Sequence, residues 1–283
     1  KFKTVDGDQY SRLYSQEMLD LMGKLKLPRY GLTHYIDEKK TADATQFEKV
    51  LIDNLSRAGE RMMGFCRSTF FKRIDSSGYS FLLTLFRHIL RNAVFIYAID
   101  NKLKLPVGDE NTFPENFIDD ADINDLLTMG EESDEVLMQV PTDMDNYMRL
   151  AVKYYNGLAG KNNVQWIDSK YFKRTLKQQL KKDCSLLLSM INLCGEWNPS
   201  TDQKLNELES LLNNTHRDEK VIVFTQYSDT ANYIHYQLRQ RGMNHIDKAT
   251  GSSKNQTALV ERFSPVSNKA DIAADNELKV LIA

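Results

Sequence analysis

Two stretches in the first half of the chain repeat apolar residues at helical spacing. The first begins with a capping box formed by Thr45 and Glu48. Its apolar positions are Val50, Leu51, Leu55, Ala58 and Met62. Residues 81–99 show the same period in a more apolar segment, and residues 76–78, Ser-Ser-Gly, form a turn signal between the two stretches. The pattern predicts two helices that pack against each other by their apolar faces.

Near residue 218 the pattern changes to strands that alternate with helices. Residues 221–224 are four consecutive apolar residues, too few for a helix, and they predict a strand that is covered on both faces. A helix capped by Ser228 or Asp229 is predicted next. Further strands are predicted near residues 244–247 and 278–283. This alternation predicts right-handed crossovers and a parallel sheet.

The two kinds of pattern divide the chain into two predicted domains. A third long helix is predicted over residues 168–194, where Gly195 provides a C-terminal stop. We therefore predict an α+β protein, with a mostly helical domain over residues 1–200 and a partial α/β unit with a parallel sheet over residues 201–283.

Composition places the chain among ordinary globular proteins. With 283 residues it is long enough for two domains, and 41% hydrophobic and 27% charged residues are typical values. No apolar run is as long as a membrane span and no signal segment follows Lys1, so we expect a cytoplasmic protein without membrane contact. The cysteines Cys66, Cys184 and Cys194 have neither disulfide nor zinc spacing, which predicts reduced, buried thiols.

The charges are distributed unevenly. Between Lys104 and Arg149 the chain has thirteen acidic residues and no Lys, Arg or His. Without these acids the net charge of −2 becomes +11, so the chain is a basic protein with an acidic insert at about residues 105–148. Such an insert fits a charge-mimicking or regulatory flap beside a phosphate-binding surface. A solvated acidic linker is the alternative.

The order of motifs in the second half resembles the start of the second RecA-like lobe of superfamily 2 helicases, particularly Snf-type translocases. Residues 221–226 match motif IV, a second strand leads to a Thr250-Gly251 turn, and residues 279–283 match the approach to motif V. Upstream, residues 57–64 and 71–77 resemble the helical segment that bacterial Snf-type helicases place between their lobes.

The resemblance implies a RecA-like lobe of the P-loop NTPase type and a parent protein that hydrolyses ATP with Mg²⁺ while it moves on nucleic acid, DNA rather than RNA. The chain itself has no Walker A phosphate loop and no Walker B acidic pair. We therefore expect it to be a catalytically inactive fragment of a longer protein, cut after Ala283, that binds no cofactor. Gln256 is a departure, because related helicases commonly have an arginine there; Lys254 is a possible substitute.

Polar residues at the ends of the predicted strands are candidate nucleic-acid contacts. Ligands of open α/β sheets sit at the carboxyl ends of strands, and hydroxyl and backbone N–H groups there bind phosphate without reading sequence. The candidates are Thr225, Gln226, Ser228, Thr250, Gly251 and Ser252. Structural alternatives stay open, since Thr225 and Ser228 also suit helix capping and Thr250-Gly251 also suits a plain turn.

Three pairs of basic residues are further candidates for phosphate contacts. The pairs are Arg57 with Arg61, Lys72 with Arg73, and Arg87 with Arg91. They are placed to line a nucleic-acid channel, where each neutralised phosphate strengthens salt-dependent binding. A solvated, charged helix face is the alternative.

Two other functions compete with the motor fragment. The first is a non-catalytic helical adaptor whose acidic insert binds a basic partner. The second is a truncated small-molecule α/β enzyme, which is disfavoured because no catalytic acid, base or nucleophile converges and the five histidines have no metal spacing. For the motor fragment, the sheet is cut from its neighbours after Ala283, so we expect residues 218–283 to be marginally stable or to protect an uncovered strand edge by self-association, since unpaired strand edges recruit another chain.

Overall fold

A computed structural model of the chain describes residues 8–107, 139–158, 164–251, 253 and 255–283. The side chains of residues 56–65 and 67 lie outside this description, as does most of the acidic insert. The helices of the first part are α1 (Gln9–Leu13), α2 (Gln16–Lys24), α3 (Gln46–Ser76), α4 (Gly78–Asp100), α5 (Met144–Leu158) and α6 (Arg174–Cys194). Short 3₁₀ turns lie at Pro28–Tyr30, Leu32–Tyr35, Ser169–Tyr171 and Pro199–Thr201.

The two helices predicted in the first half are α3 and α4, and local signals set their ends. Thr45 and Glu48 form the predicted capping box, with each side chain accepting a backbone N–H of the other residue. The helices are separated at Ser77, whose backbone is extended and whose hydroxyl accepts from the N–H of Ser80. The predicted separation of the two helices is therefore observed, as one non-helical residue and not as a separate turn.

Helix α4 is the centre of the first part and is surrounded by protein. Its apolar side chains, among them Phe81, Phe86 and Ile89, belong to one core with residues of the other five helices. By length and composition α4 passes the test for a membrane span, but 89% of its most apolar window is buried inside the protein. A core helix passes the same test, because both kinds of helix are apolar all round.

A two-stranded antiparallel sheet lies beside α4. One strand is at the start of the acidic insert, and the other is at the start of the predicted third helix. Strand β1 (Lys104–Val107) pairs with β2 (Gln165–Asp168). The third helix was predicted from residue 168, but residues up to Asp168 pair in β2 and a 3₁₀ turn follows, so α6 starts only at Arg174. Its predicted end is confirmed, since Gly195 adopts a positive φ of 67° directly after it.

The second part of the chain is an α/β unit. It contains α7 (Gln203–Ser210) with a π-helical turn at Leu211–Thr215, then β3 (Val221–Val223), α8 (Ser228–Gln240), β4 (Ile246–Lys248), α9 (Gln256–Phe263), α10 (Pro265–Asn268) and β5 (Val280–Ile282). The three strands are parallel, with β5 between β3 and β4. The predicted parallel sheet, and with it an α+β class, is thus observed.

The two faces of this sheet differ. Val221, Val223, Val280 and Ile282 face a core that also contains α8 residues and Tyr79 and Leu83 of α4. On the other face Leu281 is buried, but Ile222 is 44% exposed and Phe224, just after β3, is 81% exposed. The prediction that residues 221–224 are covered on both faces was therefore wrong.

Two hydrophobic cores correspond to the two parts. The larger core is built from the six helices of the first part, and the smaller one from the sheet, α7, α8 and the start of α4. Partly buried Trp197 packs against both cores. All three cysteines are free and buried, as predicted. Burial raises the pKa of Cys184 and Cys194 to about 12, so both thiols stay protonated at neutral pH.

Candidate nucleic-acid interface

The carboxyl edge of the parallel sheet brings the two predicted polar loops together. The backbone N–H of Thr225 donates to the carbonyl of Ala283 (2.6 Å), and that of Ala249 donates to the carbonyl of Ile282 (2.7 Å). Because β5 is the central strand, the loops after β3 and β4 leave the sheet on either side of its last residue. Thr225 and Thr250 therefore lie at one edge, as predicted from the rule for parallel sheets.

The loop after β3 presents two exposed polar side chains, Gln226 and Ser228. The Thr225 hydroxyl donates to the carbonyl of Tyr227 (2.9 Å), so it stabilises the loop. The N-cap of α8 is Tyr227, which makes no side-chain cap hydrogen bond. The prediction that Ser228 or Asp229 caps this helix was therefore wrong, and capping does not account for Ser228.

The loop after β4 is held by its own side chains. Ser253 Oγ accepts from the N–H of Thr250 (2.9 Å), and Gln256 Nε2 donates to the Thr250 carbonyl (3.2 Å). Gly251 is exposed, and a side chain added there would meet nothing within 4 Å. Gln256 is thus used to close the turn. Ser252 and Lys254 lie outside the described residues.

A buried ion pair with two arginines lies behind the β3 loop. Asp229, in the first turn of α8, accepts from Arg87 through both carboxylate oxygens (2.6 and 2.8 Å) and from Arg73 (2.6 Å). Its side chain is 2% exposed, that of Arg87 3% and that of Arg73 14%. The Arg73 guanidinium also stacks on the Tyr227 ring, 3.9 Å from its centroid. The α/β unit therefore contacts α3 and α4 through buried ion pairs.

Neutral hydroxyls extend this contact. Thr230 Oγ1 lies 2.7 Å from Ser76 Oγ and 2.9 Å from Ser80 Oγ. We call the set of Arg73, Ser76, Ser80, Arg87, Asp229 and Thr230 the seam. Burial raises the pKa of Asp229, but the charges and hydrogen bonds of Arg87 and Arg73 outweigh burial and hold that pKa below its ordinary value.

The arginine pair of α4 is not on an open face. Arg87 and Arg91 are 2% and 6% exposed, so they neither line an open channel nor form a solvated helix face: both sit among residues packed around the central helix. Next to them Arg29 donates to Asn92 Oδ1 (2.8 Å). Burial, and then four neighbouring guanidinium groups, hold the pKa of His88 well below its ordinary value, so its imidazole is neutral at pH 7.

The other predicted basic residues have different placements. Lys72 is exposed on α3, whereas Arg73, its neighbour, belongs to the seam. The side chains of Arg57 and Arg61 lie outside the described part of α3. The four described cations, Lys72, Arg73, Arg87 and Arg91, therefore do not form one exposed surface with the loops.

The chemistry available at the carboxyl edge is hydrogen bonding to an anion. The described polar side chains of the two loops are neutral, and the acid that follows β3, Asp229, is held by two arginines. Among the described residues no group of three or more His, Cys, Asp or Glu side chains is placed to hold a metal ion.

The seam was missed by sequence reasoning, although part of its signal was present. By residue type Asp229 is a candidate helix cap, and helical spacing predicts the arginines as pairs on their own helices. The partners are 142 and 156 residues apart in the chain. An Arg within the most apolar helix is itself a signal, because buried charges are nearly always paired.

Comparison of the chain with protein-family models, curated proteins and solved structures gave no match. The resemblance to Snf-type helicases therefore depends on the residues of this chain alone.

Proposed function

We propose that the chain is part of an ATP-dependent superfamily 2, Snf-type helicase or translocase, in which it contributes contacts to nucleic-acid phosphates and part of the second motor lobe. The nucleic acid is DNA rather than RNA, and the parent protein is a cytoplasmic ATP hydrolase that uses Mg²⁺. This fragment has no Walker A or B motif. It does not hydrolyse ATP alone.

The observation that carries the proposal is the convergence of the two polar loops at one edge of a parallel sheet. The first residues of both loops donate backbone hydrogen bonds to the end of the central strand: Thr225 to Ala283 and Ala249 to Ile282. A translocase holds a strand by its phosphates without reading bases, and exposed hydroxyl, amide and backbone N–H groups suit that task. Gln226 and Ser228 are exposed there, and Ser228 has no capping role that would explain it otherwise.

The rival adaptor function has one observation in its favour. Three of the six predicted phosphate-binding cations, Arg73, Arg87 and Arg91, are wholly or largely enclosed in the structure. A chain whose arginines serve packing has less charge available for nucleic acid. The adaptor proposal assigns binding to the acidic insert, which would take a basic protein and not a polyanion.

Binding to a 20-nucleotide single-stranded DNA, followed by fluorescence anisotropy, tests the proposal. We expect weak, sequence-independent binding that falls steeply between about 50 and 200 mM salt. The double variant Gln226→Ala with Ser228→Ala should bind about 5- to 150-fold more weakly, because two hydrogen bonds are lost at roughly 0.5–1.5 kcal/mol each. Its salt dependence should be unchanged, since neither side chain displaces counterions.

A matched double variant controls for general effects. Gln240→Ala with Ser267→Ala removes an exposed Gln at the other end of α8 and an exposed Ser of α10, and it should bind like the parent chain. Equal losses in both double variants would argue against the carboxyl edge as the contact. Absence of DNA binding at about 50 mM salt, where phosphate contacts are strong, together with capture of a basic peptide, would favour the adaptor.

ATP turnover tests the second part of the proposal. The purified chain should show no nucleic-acid-stimulated hydrolysis, because it lacks the groups that hold the β- and γ-phosphates and Mg²⁺. Turnover above a no-protein control that persists through repurification would contradict the assignment of the chain as an incomplete motor.

A further inference from the structure

Helix α6 has a row of cations on its outer surface that the predicted site did not include. Arg174, Lys181 and Lys182 are exposed. We call these three residues the basic face. Arg174 and Lys181 are seven residues apart, which places them on one side of the helix, about 10 Å apart along its axis. Lys177 lies between them and forms an ion pair with Asp100 of α4.

The acidic side chain within α6 is turned away from this row. Asp183 is fully buried and accepts from the backbone N–H groups of Lys26 (3.2 Å) and Leu27 (2.7 Å) and from Gln179 Nε2 (3.0 Å). It therefore fixes the loop after α2 and does not neutralise the exposed side of α6. Further along, exposed Ser185 and Ser189 bond only to carbonyls of their own helix.

Arg174, the first residue of α6, is unfavourably placed for stability, whereas Lys181 and Lys182 lie beyond the first turn. Cations near a helix N-terminus oppose the helix dipole. Helix α6 has no acid in its first turn, and its N-cap, Lys173, makes no side-chain cap hydrogen bond. A protein pays for such an arrangement unless an anion from outside offsets it. This contrasts with α4, whose Arg87 is neutralised by Asp229 within the fold.

We propose that the basic face of α6 is the main electrostatic contact of this chain with a nucleic-acid backbone. The inference rests on the proposed function for its choice of polyanion, and on the structure for its location. Charge complementarity selects the partner: the three exposed cations span about 12 Å of helix, a length over which one strand of a duplex presents about three or four phosphates at about 3.4 Å per nucleotide. Such contacts position the chain without reading sequence.

A triple variant, Arg174→Gln with Lys181→Gln and Lys182→Gln, tests the inference. DNA binding is measured by anisotropy with the same 20-nucleotide strand at several salt concentrations. Each phosphate contact contributes about 0.7 to the slope of log K against log salt for a single strand, so the slope should fall by about 2. Affinity at about 50 mM salt should fall more than tenfold.

The control removes the same charges elsewhere. Arg217→Gln with Lys269→Gln and Lys279→Gln takes one Arg and two Lys from exposed positions of the α/β unit. In this variant the slope of log K against log salt should stay within about 0.7 of the parent value, which is the contribution of one phosphate contact. Circular dichroism and thermal melting of both variants establish that they fold. Equal loss of slope in both variants would show that net charge, and not the basic face, controls binding.

The outcomes separate this inference from the proposed function. A parent chain that binds DNA, with a slope unaffected by the α6 variant, overturns the basic face and leaves the motor fragment standing. A parent chain that binds no DNA overturns both. Poly-glutamate serves as the competing polyanion. The basic face is a docking site for an acidic protein instead if it binds poly-glutamate while the triple variant leaves the salt slope of DNA binding unchanged.

Discussion

The seam and the basic face use the same residue types on helices for opposite purposes. In the seam, Arg87 and Arg73 are enclosed and share the carboxylate of Asp229. On the basic face, Arg174, Lys181 and Lys182 remain in solvent, and the acid of their own helix is buried on the other side. Helical spacing of cations is similar in α4 and α6, so spacing does not distinguish a structural arginine from a binding one.

The difference lies in what surrounds each helix. Protein packs around α4 on all sides, so a cation there must find a carboxylate within the fold, because an unpaired buried charge is strongly unfavourable. Helix α6 packs by one side only, and a cation on its open side costs little in water. We infer that the seam fixes the orientation of the two parts, whereas the basic face is free to bind.

The largest effect is expected from Asp229→Ala. It leaves two enclosed guanidinium groups without this carboxylate, and removing one member of a buried ion pair destabilises proteins by about 3–5 kcal/mol. Urea denaturation followed by circular dichroism measures the change.

Asp247→Ala is the matched control for this experiment. Asp247 also pairs with an arginine, Arg262, at 2.7 Å, but both side chains are about one-third exposed. Exposed pairs contribute about 0–1 kcal/mol. Similar losses for the two variants would show that burial does not distinguish the seam from a surface pair.

A second effect concerns packing where the two parts meet. A Cβ at Gly78, the first residue of α4, would lie 2.2 Å from Trp197 Cη2 and 2.9 Å from Leu13 Cδ1. Gly78→Ala must therefore displace the indole, whose Nε1–H donates to the Tyr233 hydroxyl of α8. We expect a loss of about 1–3 kcal/mol from overpacking, reduced by up to about 1 kcal/mol of helix propensity.

The control for this variant is Gly23→Ala in α2, where an added Cβ meets nothing within 4 Å. This change should be neutral or stabilising by up to about 1 kcal/mol. Tryptophan fluorescence in the same urea titration reports the environments of both tryptophans, Trp197 and Trp166. A Gly78→Ala protein as stable as Gly23→Ala, with unchanged emission, would contradict tight packing at this point.

The pH dependence of stability gives a third test of the seam. The pKa of Asp229 is lower in the folded protein than in the unfolded chain, where it is about 3.9. The carboxylate therefore contributes stability that is fully present above about pH 5 and is lost as pH falls through the folded value. The parent chain should exceed Asp229→Asn in stability by a constant amount from about pH 5 to 8 and by less below about pH 4.

Urea midpoints of both proteins across this range provide the measurement. A difference between them that narrows while the pH is still above about 5, where a carboxylate of lowered pKa stays charged, would show that another group controls the effect.

The smallest effect on stability is expected on the open face of the sheet. Phe224 is 81% exposed, so Phe224→Ser should change stability by less than about 0.5 kcal/mol. Exposed apolar side chains beside short edge strands favour association, so the variant should weaken any self-association of the chain. Sedimentation velocity at several concentrations measures it. Phe47→Ser, which removes a 65% exposed Phe from α3, should leave association unchanged.

Local signals in the sequence were sufficient for much of the fold. The capping box at Thr45, the separation of α3 from α4 at Ser77 and the stop at Gly195 each depend on a few neighbouring residues, so a pattern of a few residues predicts them. The parallel sheet followed from alternating strands and helices. The convergence of Thr225 and Thr250 then followed from the geometry of parallel strands, without knowledge of any side-chain contact.

Signals at other points conflicted, and tertiary structure decided between them. The segment from residue 168 has helical periodicity, yet Asp168 pairs with Lys104 of β1 and residues 171–173 bond to the backbone of residues 35–37, so α6 starts only at Arg174. Asp229 is a good helix cap by type, yet two arginines compete for its carboxylate more strongly than a backbone N–H does. In both cases a non-local partner outweighed a local preference.

The sequence by itself determined where most helices and strands lie, the class of the sheet and the edge at which its polar loops meet, because these depend on interactions between residues near in the chain. Only the tertiary structure decided which cations are enclosed and which are open to solvent, and which face of the sheet stays uncovered. Burial depends on residues far apart in sequence: Arg87 is enclosed because α8, 142 residues later, brings Asp229 to it. Arg174, of the same type and also helical, stays in solvent because nothing in the described structure covers that side of α6.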